Sequence, residues 1–95
     1  MRKKLGKEYA FLLDELIGEE LRVQISSGRG LTGLEGRIID ESRNSFLLAT
    51  SSGRKRIPKA SCTFRFPRWG RAVDGGLLVG RPEDRTKRLA KELKL

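Results

Sequence analysis

The chain has no histidine and one cysteine, Cys62, among its 95 residues. The first absence removes the commonest general base and metal ligand. The second excludes a disulfide frame and a zinc site built on cysteines. No run of about 18 apolar residues occurs, so no segment reads as a membrane-spanning helix. Acids are missing from one stretch in particular. Ser42 to Val73 contains no Asp or Glu but carries eight basic residues, Arg43, Arg54, Lys55, Arg56, Lys59, Arg65, Arg68 and Arg71. Acids occur on both sides of it, so their absence is local. A stretch with no acid of its own calls for an anion from outside, most often a nucleic-acid backbone.

What is present fits that partner. Lys and Arg number 21 against 12 Asp and Glu, giving a net charge of +9 and a pI near 10.5. This balance favours a polyanion, RNA or DNA ahead of an anionic membrane. The length suits a single domain over residues 1–95, and a chain this short buries only about 60–65% of its unfolded surface. With 37% apolar and 35% charged residues, the core is small and the surface heavily charged. Arg2, Lys3 and Lys4 precede an apolar segment, as in a secretory leader, but Asp14, Glu15, Glu19 and Glu20 interrupt it. The expectation is a cytoplasmic chain with no membrane association.

The spacing of Tyr9, Leu12, Leu13, Leu16 and Ile17 predicts a helix over residues 7–17, ended by Gly18. Its stripe packs on the chain's own core or offers Leu12, Leu13, Leu16 and Ile17 to a partner protein. From Leu21 to Val79 the period becomes two. Leu21, Val23 and Ile25 alternate with polar residues, and further strands are expected at Leu34–Ile39, Phe46–Thr50, Arg54–Lys59 and Cys62–Phe66. A sixth is expected over Ala72–Val79, with a bend at Asp74-Gly75-Gly76. Ser51-Ser52-Gly53 reads as a hairpin loop. Six short strands in residues 21–79 predict a mainly β fold, a small antiparallel barrel. Pro82 then opens a helix over residues 82–93, with Glu83 and Asp84 at its positive end and a thin stripe of Leu89, Ala90 and Leu93.

Gly28-Arg29-Gly30-Leu31-Thr32-Gly33 spells GxGxxG, but a strand pattern follows it. The dinucleotide fingerprint opens a helix, so the run reads as a flexible hairpin loop, one that could still bring backbone N–H groups and Arg29 to an RNA phosphate. Phe64 and Phe66 share parity with Cys62, and all three belong inside. Trp69, after Pro67, either caps the barrel or stacks on a base. Asp40 with Glu41, and Glu19 with Glu20, are adjacent on strand-like segments and point to opposite faces, unlike a two-carboxylate metal site. No catalytic and no metal-binding residue is assigned.

Four blocks together resemble a known family. They are Leu16-Ile17-Gly18, the run from Gly33 to Asn44, Ile57-Pro58-Lys59, and the run from Asp74 to Arg85, which contains Gly80-Arg81-Pro82-Glu83-Asp84-Arg85. The chain resembles archaeal ribonuclease P protein component 1, related to a eukaryotic ribonuclease P and MRP subunit. The resemblance implies a six-stranded antiparallel Sm-like barrel flanked by N- and C-terminal helices. It implies binding to the ribonuclease P RNA that removes 5′ leaders from precursor tRNA, pairing with a zinc-ribbon protein subunit, and indirect contact with precursor tRNA. Chemistry would belong to the RNA and its Mg²⁺, with no cofactor on this chain. Ser26-Ser27-Gly28-Arg29-Gly30 departs from the Asn-Pro turn frequent in the family. The residues expected to meet RNA are Arg43, Arg54, Lys55, Arg56, Lys59, Arg65, Arg68, Arg71, Arg81 and Arg85. A stand-alone Sm-like or ribosomal RNA binder, and a protein-interaction scaffold, remain as alternatives.

Overall fold

A computed structural model of the chain describes residues 6–92. Six strands form one antiparallel sheet: β1 (Glu20–Ser26), β2 (Glu35–Glu41), β3 (Ser45–Thr50), β4 (Gly53–Pro58), β5 (Cys62–Phe66) and β6 (Arg71–Asp74). Their order across the sheet is β4-β3-β2-β1-β5-β6. A 3-10 helix, Lys7–Leu13, precedes the sheet; a second, Gly75–Leu78, and the helix α1 (Pro82–Glu92) follow it. The expected helix end at Leu93 lies outside the described residues.

The sheet is rolled. β3 and β5 are three inter-strand steps apart, roughly 14 Å in a flat sheet. Yet Phe46 on β3 and Phe64 on β5 meet edge-to-face with centroids 5.5 Å apart. Inside the roll lie Leu21, Val23, Ile38, Phe46, Leu48, Ile57, Cys62, Phe64, Phe66 and Val73, all buried; Phe11, Leu12, Leu16, Leu78 and Leu89 complete the core. No ladder between β4 and β6 is found among the described residues, so the barrel is rolled without being zipped shut. Where that seam lies, Gly75 abuts the carbonyls of Lys59 and Cys62. A Cβ on Gly75 would overlap the Lys59 oxygen and sit 2.7 Å from that of Cys62. This close approach also ends β6 at Asp74, short of the expected Val79. The Asp74 side chain then accepts from Gly76 N–H at 3.0 Å and caps the second 3-10 helix.

Two bulges alter the parity read from the sequence. Register slips between Val23 and Ile25 on β1 and between Ile38 and Asp40 on β2. A one-residue slip turns every later side chain to the opposite face. Ile25, expected inside, is 62% exposed, while Glu41 points into the core beside Phe46.

The N-terminal helix is also shorter than its apolar spacing predicts. It stops at Leu13, and Asp14 is extended. In a continuing α-helix the Leu12 carbonyl would accept from Leu16 N–H. Here it accepts from the Arg85 guanidinium instead. Freed from the helix, Leu16 enters the core, and the chain turns into β1 through Gly18 at a φ of 97°. The Ser51-Ser52 hairpin is as expected, with Gly53 at a φ of 107° and the Thr50 hydroxyl donating to the Gly53 carbonyl at 2.6 Å.

Candidate nucleic-acid interface

Most of the acid-free cations lie on the outside of the roll. Arg54, Lys55 and Arg56 occupy the edge strand β4, and all three are exposed. Charged side chains on an edge also discourage pairing with another chain. Arg54 and Arg56 stand opposite Ala49 and Leu47 on the outer face, and Arg56 Nη1 donates to Ser45 Oγ at 3.0 Å. Arg43 sits in the β2–β3 turn, Arg65 on β5, Arg71 on β6 and Arg81 ahead of α1, all exposed. Among the described residues none of these seven has a carboxylate within 4.0 Å.

Arg68 is different. Its Nη1 lies 2.8 Å from Glu19 Oε2, and its guanidinium lies over the Trp69 ring, 4.9 Å from the centroid. Trp69 in turn stacks on Phe11 at 4.2 Å with an interplanar angle of 11°. The ring is therefore a cap over Phe11 and Phe66, already engaged on its aromatic surface.

Two expected RNA contacts are corrected. Lys59 and Arg85 are 0% exposed. Both converge on Glu41, which the β2 bulge turns inward. Lys59 Nζ lies 2.8 Å from Glu41 Oε2, and Arg85 Nε lies 3.1 Å from the same oxygen. Lys59 also donates to the carbonyls of Ser42 at 2.8 Å and Gly80 at 2.9 Å, and lies over the Phe46 ring. Two cations around one carboxylate leave a net positive charge in the core. Burial pushes the Lys59 pKa down from 10.5; hydrogen bonding and attraction from Glu41 oppose the shift, while Arg85 and Arg88 add to it. Neither cation can reach an RNA phosphate without opening the fold. The cost of dehydrating these charges is met by a full set of hydrogen bonds: no buried side-chain N or O among the described residues is left unpartnered.

The proposed protein-partner stripe divides in the same way. Leu12 and Leu16 are fully buried and belong to the core. Leu13 is half-buried, and Ile17 remains 39% exposed. No group of three potential metal ligands occurs among the described residues. Asp40 is exposed and Glu41 is committed to its two cations, so the pair forms no joint site.

The family model described as ribonuclease P/MRP subunit p29 matches residues 10–88. The chain belongs to that family. Its relatives include ribonuclease P protein component 1 of Methanococcus maripaludis, 43% identical over 86% of this chain and 92% of the relative. The Pyrococcus furiosus protein of the same name is 42% identical over 78% of this chain, and the match spans 61% of that longer protein. Among solved structures, Mth11, a homologue of human RNase P protein Rpp29, superposes with a TM-score of 0.52 at 38% identity. The match covers 75% of this chain and 96% of that one. The chain is thus a ribonuclease P protein subunit, mainly β as expected.

Within this p29-family chain the blocks that carry the resemblance turn out to be architectural. Glu41, Lys59 and the pair Gly80 and Arg85 come from three separate blocks and meet at one point. Gly80, at a φ of 127°, also donates its N–H to the Arg43 carbonyl at 2.7 Å, pinning the start of the last segment to the β2–β3 turn. Arg88 donates to the carbonyls of Val79, at 2.6 Å, and Leu77, a role the sequence reading did not assign to it. Its i+3 spacing from Arg85 on a short helix was the available signal. Arg22 on β1 and Arg37 on β2 lie on the outer face outside the acid-free stretch, so that criterion passed over them.

Proposed function

We propose that this ribonuclease P subunit holds the RNA of ribonuclease P through the exposed cations Arg43, Arg54, Lys55, Arg56, Arg65, Arg71 and Arg81, and contributes no catalytic group. The observation that carries this reading is their exposure without an acid within ion-pair distance among the described residues. Mg²⁺ bound to the RNA would supply the chemistry on precursor tRNA. The exposed Ile17 and the half-buried Leu13 are where a zinc-ribbon subunit would dock. No helix of the described residues is long and apolar enough to cross a membrane, and a cytoplasmic place accords with tRNA processing.

Filter binding of ribonuclease P RNA at several salt concentrations tests the reading. If about five phosphates are engaged, the log–log slope should lie at roughly −3 to −5. A slope near zero overturns the electrostatic account. Adding the protein to ribonuclease P RNA and its partner subunits should raise precursor-tRNA cleavage.

A further inference from the structure

We infer that Arg22 and Arg65 form a phosphate clamp on the outer face of the roll, a contact that rests on the RNA-binding reading above. Arg22 on β1 and Arg65 on β5 are direct cross-strand partners. Side chains so placed share one face, with Cβ atoms about 4.5–5.5 Å apart. Two like charges at that spacing repel unless an acid pairs with them, and among the described residues neither arginine forms an ion pair. Ala72 flanks Arg65 on β6, and no carboxylate lies within 4.0 Å of either guanidinium among the described residues. Glu35 is the backbone partner of Arg22 on β2, but it faces a separate depression with Glu20, Gly36 and Arg37.

The two arginines instead line a cleft of about 410 Å³ with Val23, Gln24, Thr32 and Gly33. The far wall is the glycine-rich loop whose GxGxxG spelling fits no nucleotide fold. That loop is held against β1. Gly33 N–H donates to the Val23 carbonyl at 2.7 Å, and Ser26 N–H donates to Thr32 Oγ1 at 3.1 Å. Gln24, at the β1 bulge between Val23 and Ile25, also lines the cleft. The polar side chains of the cleft are therefore two guanidiniums, an amide and a hydroxyl, with no carboxylate. Guanidinium forks match the oxygens of a phosphodiester and hold it with two parallel hydrogen bonds each. The bound phosphate would remove the repulsion that the empty pair carries. Only Arg65 belongs to the acid-free stretch; Arg22, Gln24 and Thr32 extend RNA contact onto β1 and its loop.

The test uses the full chain and ribonuclease P RNA in salt-dependent filter binding, with a melting curve for each variant. Arg22→Gln with Arg65→Gln should lower affinity by at least about tenfold and flatten the salt slope by about one phosphate contact, with an unchanged or higher Tm. Arg22→Lys with Arg65→Lys keeps the charge but loses the forks; it should bind more weakly than the unaltered protein at an unchanged slope. If this lysine variant binds as well as the parent, diffuse charge suffices and the clamp is wrong. A lower Tm for the glutamine variant assigns the arginines a structural role and also overturns it. Lys55→Gln with Arg56→Gln serves as the reference. Should the reference variant weaken binding while Arg22→Gln/Arg65→Gln does not, only the clamp fails. If neither variant weakens it, the electrostatic reading of function fails with it.

Discussion

Two groups of cations in this molecule share a chemistry and differ in everything else. Arg54, Lys55 and Arg56 stand on an edge strand, exposed, with no carboxylate within 4.0 Å among the described residues. Lys59 lies just beyond the end of that strand, and Arg85 on the helix that follows; both are enclosed, sharing one carboxylate and several backbone carbonyls. The exposed group remains hydrated and carries a positive field outward, which is useful only to an anionic partner. The enclosed group has surrendered its water and is useful only to the fold. Positive charge in a basic chain is therefore not evidence of binding until its surroundings are known.

The largest test of that contrast is Glu41→Gln. It strands two buried cations, and denaturant unfolding should register a loss of about 3–5 kcal/mol. RNA affinity of the fraction still folded should change little. An equally stable Glu41→Gln protein would mean that the cluster rearranges or admits water. Next comes Gly75→Ala, which drives a methyl group onto the Lys59 carbonyl. Overpacking of this kind costs roughly 1–3 kcal/mol, again visible in unfolding. On the exposed side, Lys55→Gln with Arg56→Gln should lower RNA affinity by about tenfold at moderate salt, while stability stays within about 0.5 kcal/mol. If the protein melts early instead, these two residues are structural and the contrast collapses.

Two smaller effects sharpen it. Burial lowers the Lys59 pKa below 10.5. Between that lowered value and 10.5, the unfolded chain holds a proton that the folded chain has released. Stability from this group therefore rises with pH across the window. Comparing unfolding midpoints of the parent and Lys59→Met through the alkaline range should reveal a rise present only in the parent. Arg68→Gln removes a pair in which the arginine is 68% exposed. Exposed pairs are worth at most about 1 kcal/mol, so its melting shift should be far below that of Glu41→Gln and shrink further in high salt.

The strands were legible because their alternation follows directly from burial on one face, and Cys62, Phe64 and Phe66 lie inside as their parity requires. The bulges were not legible. A bulge inserts one residue without a distinctive side chain, and the energy that selects it comes from what lies across the roll. Ile25 consequently reads on the wrong face, and the inward turn of Glu41 goes unread. The helical spacing from Tyr9 to Ile17 was genuine, but helix propagation past Leu13 competes with a distant guanidinium for one carbonyl, and local sequence carries no record of that rival. The cation roles were mixed for the same reason. A run without acids looks unpaired along the chain, whereas Glu19 reaches Arg68 and Glu41 reaches Lys59 from outside it.

The hydrogen bond from Arg85 to the Leu12 carbonyl links positions 73 residues apart in sequence. During synthesis the earlier partner emerges long before the later one exists. Until Arg85 leaves the ribosome, the Leu12 carbonyl has no guanidinium, and Glu41 has only one of its two cations. The segment around Leu12 must wait, free to extend its local helix through Leu16. Stalled chains ending before and after Arg85 should differ in hydrogen exchange at Leu16, protected in the native manner only in the longer one. The late helix thus acts as a clasp that the ribosome delivers after every strand of the barrel has been synthesised.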